Sequence, residues 1–409
     1  MTKTEAVTLL KEKGQEHLLA FWDELSRESR ENLLRQIEAV DWSLLDLLAK
    51  RAEGEAPRGK LEPLGALEMP AIAARRQEFE EAGIRALQQE KVGAVLLAGG
   101  QGTRLGFDKP KGMFNVGLTR PLYIFQRLIE NMMDVVKITG AWMPLYIMTS
   151  EKNNEDTVNF FKEQNYFGYD PDHVKFFVQE MVPSVGYDGK ILMEGKDRLS
   201  TSPNGNGGWF KSMLKAGLGE DLHARGVEWL TVFAVDNVLQ RINDPCFVGA
   251  TLLSGCDCGA KVVRKAAPDE RVGVLCLEDG KPSIVEYYEM TDEMLTSRTE
   301  NGELSYNFGV ILNYMFRLTT LEENAVKNLP VHVVEKKIPY IDAAGELHKP
   351  EKPNGYKFET LVLDMVHMMH DCLSYEVDRR REFAPIKNRE GVDSVVSARE
   401  LLRENGVEL

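Results

Sequence analysis

The spacing of apolar positions changes character near residue 90. Before that point, apolar residues recur at helical spacing in Leu18, Leu19, Phe21, Trp22 and Leu25, then in Leu33, Leu34 and Ile37. Asp41-Trp42-Ser43 interrupts the pattern and offers a fresh N-cap before Leu44-Leu45-Asp46-Leu47-Leu48. Residues 52–70 are rich in Pro, Gly and Glu and read as a linker or wrapping arm, with a further helix over about 71–90. The region 1–88 is thus expected to be an N-terminal helical region, serving as scaffold or as an oligomerisation arm.

From residue 92 onward, short apolar runs alternate with amphipathic stretches. Strands are predicted at 92–97, 144–148, 174–178, 229–234, 259–263 and 272–277, with helices between several of them, as at 122–136 and 155–164. A strand at 283–286 would pair with 272–277 across the turn Glu278-Asp279-Gly280-Lys281. Such alternation predicts an α/β fold with a mostly parallel sheet, whose loops gather at the carboxyl ends of the strands. Beyond it come an apolar strand at 331–334, a loop at 348–355 rich in Pro, Gly and Lys, an amphipathic helix at 359–372 and a short helix near 397–404. The expected division is 1–88, a central α/β domain over 89–330, and 331–409, which completes that domain and ends in a reduced C-terminal region. No repeat of fixed period occurs, and no hexapeptide array.

The strand at 92–97 runs into Ala98-Gly99-Gly100-Gln101-Gly102-Thr103-Arg104-Leu105-Gly106, followed by Lys109-Pro110-Lys111-Gly112. Glycines let backbone N–H groups approach a polyphosphate without Cβ obstruction, and Arg104 and Lys111 add positive charge beside them. No Gly-Lys-Ser/Thr closes the loop, so it is not a P-loop. The third glycine of a dinucleotide fingerprint would fall at position 105, which is Leu. The composition is that of a triphosphate cradle.

Charge sharpens this picture. The formal net charge is −14, which argues against a nucleic-acid partner and requires any phosphate site to rely on local Arg, Lys, backbone amides and a divalent cation. No run approaches the roughly 18 apolar residues of a membrane span, and the first residues lack the core of a signal peptide. Five cysteines, an odd number, argue against a disulfide framework and suit a reducing cytoplasm. Cys256 and Cys258 read as idle or buried thiols.

Asp236 follows the strand at 229–234. It is placed either to hold Mg²⁺ near phosphates or to cap the next element. Ser202-Pro203-Asn204-Gly205-Asn206-Gly207-Gly208-Trp209 is a second glycine loop, read as a surface for a base or ribose or as a flexible turn before a helix. Glu286 and Asn307 suit sugar hydroxyls or an amide, and Lys357 follows a constrained Pro/Gly loop. The seven histidines form no triad, and His367 and His370, one helical turn apart, lack the further ligands of a metal motif.

Taken in order, LLAGGQGTRLGFDKPKG, SPNGNGGWF, VFAVDNVL, GAKVVRK with RVGVLCLEDGKPSIVEYYEM, YNFGVI, VEKKIPYID, and KPEKPNGYKFETLVLD ending in EFAPIKN resemble the blocks of the eukaryotic-type UDP-N-acetylhexosamine pyrophosphorylases and their UDP-sugar pyrophosphorylase relatives. The resemblance covers roughly 90 to 400. It implies a Rossmann-like, mixed but mostly parallel sheet of the nucleotidyltransferase (GT-A-like) type, with 89–330 as the nucleotide- and sugar-binding domain. It further implies a uridylyltransferase that joins UTP to a hexosamine 1-phosphate, with Mg²⁺. Gly99, Gly100, Gly102, Thr103, Arg104 and Lys111 would attend the UTP phosphates, Gln179 with Gly205 the uracil, and Asn206 the ribose and sugar. Asp236 would bind the metal, Gly273, Glu286 and Asn307 the hexose, and Lys357 the phosphates. Two departures stand out. Little chain remains beyond Asn388, so the separate C-terminal domain is expected to be absent or reduced and the chain to act as a monomer. Around Asn307 the chain reads Asn-Phe-Gly-Val where the family tends to have Asn-Ala-Gly-Asn. Rival readings are a glucose-1-phosphate or broad UDP-sugar enzyme, a nonenzymatic nucleotide-sugar sensor and, more distantly, a dehydrogenase.

Overall fold

The computed structural model describes residues 1–51, 58–325, 327 and 329–409. The chain divides into two compact units. One comprises Met1–Pro57, Glu180–Gly208 and Leu329–Leu361, and the other Arg58–Gln179, Trp209–Asn328 and Val362–Leu409.

The second, larger unit is built on a ten-stranded sheet. Its strands are β1 (Leu61–Pro63), β2 (Val92–Leu97), β3 (Leu145–Thr149), β4 (Val174–Val178), β5 (Trp229–Ala234), β6 (Cys258–Arg264), β7 (Val274–Glu278), β8 (Lys281–Val285), β9 (Phe308–Arg317) and β10 (Cys372–Glu376). Across the sheet, β4, β3, β2 and β5 are parallel neighbours. β9 is antiparallel to both β5 and β6, and β10 pairs parallel with β6. Among these seven strands only β9 is reversed, so this part of the sheet is mostly parallel. β7 meets β9 where Val274 opposes Gly309, and carries β8 and β1 antiparallel. The carboxyl ends of β2 to β6 and the amino end of β9 lie at the same edge.

Sequence explains the centre of this sheet. All six residues of β2 and all five of β3 are buried, as continuous apolar runs flanked by strands on both sides should be. Helices Arg76–Gln88, Ile124–Thr139 and Pro245–Ser254 bring Phe79, Leu128, Met132 and Phe247 into one core with Ala94, Leu96, Ile147 and Phe233. Two glycines allow two of those helices to meet backbone to backbone. A Cβ on Gly83 would fall 1.9 Å from the Pro245 carbonyl oxygen, and one on Gly249 would fall 1.8 Å from that of Phe79.

The smaller unit joins distant pieces of chain. Helices Lys3–Glu12 and Arg27–Ala39 bury Leu10, Leu33 and Ile37 against Ile191, Met193 and Leu199. Strand Gly355–Glu359 pairs with His332–Lys336 on one side and Val185–Gly186 on the other.

The structure corrects several expectations. The region 1–88 is not one helical body, because helices Met69–Ala74 and Arg76–Gln88 belong to the unit that holds the sheet. Conversely, 180–208, expected within the α/β domain, belongs with the N-terminal residues. The stretch from Leu18 to Leu25 forms two short 3₁₀ turns, Glu16–Leu19 and Trp22–Glu24, rather than a helix. Of the expected linker, 52–57 lies outside the described residues, and Leu61–Pro63 is a strand held by β7. The expected helix at 359–372 shrinks to Val362–His367, flanked by strands Gly355–Glu359 and Cys372–Glu376. In each case long-range pairing decided a segment whose apolar spacing suited more than one structure.

Candidate active site

After β2 the chain closes on itself. Gly102 N donates to Lys109 O (3.0 Å), Lys111 N to Gly100 O (3.2 Å) and Phe107 N to Gly102 O (3.2 Å). The fully buried Asn153, beyond β3, fixes this loop from beneath. Its Nδ2 donates to Ala98 O (2.9 Å) and Gly100 O (3.4 Å), while its Oδ1 accepts from Ser150 N (2.7 Å). A Cβ on Gly100 would meet nothing within 4 Å, so that face of the loop is open to a ligand. A Cβ on Gly99 would fall 2.7 Å from Gln179 Oε1. The buried Gln179, just past β4, therefore lies over the floor of the cradle, with its own N–H donated to Thr149 O (2.8 Å).

Thr103 and Arg104 sit exposed on the 3₁₀ turn Thr103–Leu105, and Lys111 opens the turn Lys111–Met113. Lys111 Nζ stands 3.7 Å from Asp236 Oδ2. Burial pushes the Lys111 ammonium below the usual lysine range. Lys387 and Arg104 push it the same way, and Asp236 opposes them. Lys111, Arg104 and Lys387 thus share one neighbourhood with Asp236, and Lys387 is itself paired with Asp393 (3.0 Å).

Asp236 follows β5, and its position is set by the C-terminal segment. Ile386 N donates to Asp236 O (2.9 Å), Asn237 Nδ2 to Glu382 O (2.7 Å) and Ala384 N to Asn237 Oδ1 (2.9 Å). This lacing delivers Lys387, which sequence reasoning had not singled out although it stands in the block EFAPIKN. Asn153 was missed too. Neither carries a local signal, since a lone Lys or Asn acquires its role only from what the fold lays beside it.

A second group forms farther along the same edge. Gly273 precedes β7, Glu286 follows β8 and Asn307 precedes β9. A Cβ on Gly273 would fall 3.5 Å from Glu286 Oε2, and Gly273 O accepts from Val310 N (2.9 Å). Asn307 is buried, and its carbonyl accepts from Lys265 N (2.9 Å). The altered neighbour Phe308 is buried beneath the Arg264 guanidinium, 5.4 Å from its ring centre.

Gly205, Asn206 and Lys357 belong to the smaller unit. Gly205 has φ +88°, and a Cβ there would strike the Thr360 carbonyl oxygen at 2.1 Å. Thr360 N donates to Asn204 O (2.7 Å) and Gly207 N to Thr360 O (2.9 Å), so this loop is clamped rather than a flexible turn. Lys357 lies on strand Gly355–Glu359 opposite Val334. Among the described residues no three His, Cys, Asp or Glu side chains gather to hold a metal. His370 Nδ1 contacts Asp257 Oδ2 (2.5 Å) and His367 Nδ1 contacts Pro282 O (3.2 Å), so the two histidines engage different partners.

The family model UDPGP, described as UTP--glucose-1-phosphate uridylyltransferase, matches residues 55–405. The chain belongs to this family. Within the UDPGP family its relatives include the human UDP-N-acetylhexosamine pyrophosphorylase-like protein 1. That protein is 40% identical over 406 residues, covering 94% of this chain and 80% of the relative. The UDP-N-acetylglucosamine pyrophosphorylase of Saccharomyces cerevisiae is 33% identical over 417 residues, 95% of this chain and 86% of the relative. Among solved structures, the uridine diphosphate N-acetylglucosamine pyrophosphorylase of Trypanosoma brucei, in complex with inhibitor, superposes with a TM-score of 0.84 at 28% identity, covering 98% of this chain and 84% of that one. The mostly parallel α/β sheet is thus the nucleotidyltransferase-type fold of UDP-sugar pyrophosphorylases. Among the described residues of this UDPGP-family chain, no helix is long and apolar enough to cross a membrane.

Proposed function

We propose that the protein transfers a uridylyl group from UTP to an N-acetylhexosamine 1-phosphate and releases pyrophosphate. The observation that carries this reading is the closed glycine cradle with the Lys111–Asp236 pair at its rim and Gln179 across its floor. The names of the human, yeast and trypanosome relatives support the N-acetylated sugar.

A phosphate oxygen of the sugar phosphate attacks the α-phosphorus of UTP in line. A new P–O bond forms, the bond to the α–β bridging oxygen breaks, and pyrophosphate leaves with that electron pair. The nucleophile is already ionised, so no general base is needed, and catalysis is positioning plus charge neutralisation. The loop 99–103 holds the phosphates, with the Gly102 amide already donated to Lys109 O; Gln179 reads the uracil edge, and Arg104 and Lys111, aided by Lys387, stabilise the departing pyrophosphate. Gly273, Glu286 and Asn307 hold the hexose. Gly205 at the uracil, Asn206 at the ribose and sugar, and Lys357 at the phosphates rest on the sequence blocks.

Asp236 suits magnesium, which binds through one or two carboxylates completed by substrate phosphates rather than in an all-protein cage. Bound there with the nucleotide, the ion would neutralise charge on the reacting phosphates. All five cysteines stand as thiols, which fits a reducing cytoplasm. We expect a monomer, which sedimentation would check.

The test is pyrophosphate release from UTP and Mg²⁺ against a panel of hexose 1-phosphates, with ATP, GTP and TTP as controls. Activity confined to UTP with N-acetylated sugars is expected. Activity with glucose 1-phosphate instead would keep the chemistry and move the substrate. Release with no pair would overturn the reading and leave a nucleotide-sugar sensor, to be tested by UTP binding.

A further inference from the structure

Arg58 reaches three elements at once. Its Nη2 donates to Glu278 Oε2 (2.7 Å), to Ser283 Oγ (2.9 Å) and to Ile284 O (3.2 Å), which spans the β7–β8 hairpin. Its Nη1 donates to Glu289 Oε2 (3.0 Å). That same carboxylate oxygen accepts from Glu286 N (2.8 Å), and Glu289 N returns a bond to Glu286 O (2.9 Å). The strap carrying Arg58 is itself held down. Gly59 N donates to Glu278 Oε1 (3.0 Å), Lys60 N to Asp279 Oδ1 (2.9 Å), and Leu61–Pro63 pairs with β7.

Isolated surface ion pairs hold little in place. This one differs in three ways. The guanidinium is forked between two carboxylates and a carbonyl. The Glu278 and Arg58 side chains are only 14% and 31% exposed. The strap is anchored immediately after Arg58, by the Gly59 and Lys60 amides and by the pairing of Leu61–Pro63 with β7. Arginine's fixed donor fork suits such a junction, and lysine cannot reproduce it.

We propose that Arg58 is a positioning residue for sugar recognition: through Glu289 it fixes the turn at 286–289 and so holds Glu286 over Gly273. The inference rests on the proposed role of Glu286 as a hexose contact. It adds a residue remote from the glycine cradle that sets affinity for one substrate and not for the other.

The experiment uses the full chain and steady-state kinetics with UTP and N-acetylglucosamine 1-phosphate. Arg58→Gln and Glu289→Ala are each expected to raise KM for the sugar phosphate about 10-fold, the cost of one lost charge-assisted hydrogen bond, with KM for UTP within about twofold. Because the two residues act in series, the double variant should be no worse than about twofold beyond the weaker single variant. Glu289→Gln, which keeps an acceptor for the Glu286 amide, should recover most of the affinity. Parallel rises in both KM values, or effects that multiply in the double variant, would overturn the inference. If Arg58→Gln fails to fold, Glu289→Ala reads the same link with the Arg58–Glu278 clamp intact. Hydrogen exchange at the Glu286 amide separates this inference from the functional reading. Exchange at least about 10-fold faster in the variants supports the anchor even if no sugar is turned over, and unchanged exchange sinks it.

Discussion

Lys111 Nζ and Asp236 Oδ2 stand 3.7 Å apart, one contributed by the loop after β2 and the other by the turn after β5. The pair is drawn together because its strands are parallel neighbours in register, with Leu97 opposite Ala234. Lys387 has a carboxylate of its own in Asp393 (3.0 Å), which leaves Asp236 alone to face the half-buried Lys111 and the neighbouring Arg104. A bound polyphosphate would complete the balance.

That imbalance predicts a trade between stability and activity at Lys111. Its folded pKa is lowered by burial and by Lys387 and Arg104, so the charged form is costlier in the folded than in the unfolded state. Its charge therefore opposes folding at neutral pH, and stability rises as the pH climbs through the lowered pKa. Lys111→Met should leave the melting temperature unchanged or higher while turnover falls by about 10²- to 10³-fold. Calorimetry and pyrophosphate release on one preparation check both halves.

At Asp236 the expectation is metal-linked. Asp236→Asn keeps size and hydrogen bonding but removes the hard anionic ligand. Turnover should fall by about 10²-fold or more, and the Mg²⁺ concentration for half-maximal rate should rise, with little change in melting temperature. An unchanged Mg²⁺ dependence would place the metal elsewhere.

Two glycines of one loop should behave differently. A Cβ on Gly99 meets the tip of the Gln179 side chain at 2.7 Å, which can swing away. Gly99→Ala should therefore fold normally and raise KM for UTP by displacing Gln179. A Cβ on Gly102 meets Phe107 Cδ1 at 2.8 Å and the Phe107 carbonyl oxygen at 2.9 Å, which cannot yield without opening the loop. Gly102→Ala should cost about 1–3 kcal/mol of stability in urea unfolding, the usual price of overpacking.

The Arg58 junction predicts an acid-sensitive window. The Arg58 guanidinium holds the Glu278 carboxyl at about 2 against an ordinary 4.5, helped by Ser283 and the Gly59 amide and opposed by burial. A carboxylate with a lowered folded pKa contributes stability above 4.5 that is lost as the pH falls through about 2. The wild type should exceed Glu278→Gln in urea midpoint at about pH 6, and the gap should narrow by about pH 3. A gap that stays constant across that range would show that the ion pair does not stabilise the fold.

Much of the glycine cradle and its strands was legible in the residue order. Strands 92–97 and 229–234 appear with those bounds, because a strand buried on both faces reads as a nearly unbroken apolar run. Strand 174–178, at the end of the sheet order and partly exposed, keeps its bounds too. Asp236 and the cradle follow directly from those strand ends. The second group of candidate residues was less legible. Gly273 and Glu286 each look ordinary alone and come together only because β7 and β8 pair as a hairpin, and the pairing of Val274 with Gly309 brings the start of β9, just after Asn307, to the same corner.

The sequence by itself determined the strand core, the glycine cradle and the family, since these depend on residues close together in the chain and on local periodicity. Tertiary structure alone decided that Asn153 lies under the cradle, that Lys387 stands beside Lys111, that Arg58 clasps Glu278 and Glu289, and that residues 1–88 are shared between two units. The first three join residues far apart in sequence through a hydrogen bond or a charge. Such contacts leave no periodicity behind, because one Asn, Lys or Arg satisfies local backbone preferences equally well wherever its partner lies.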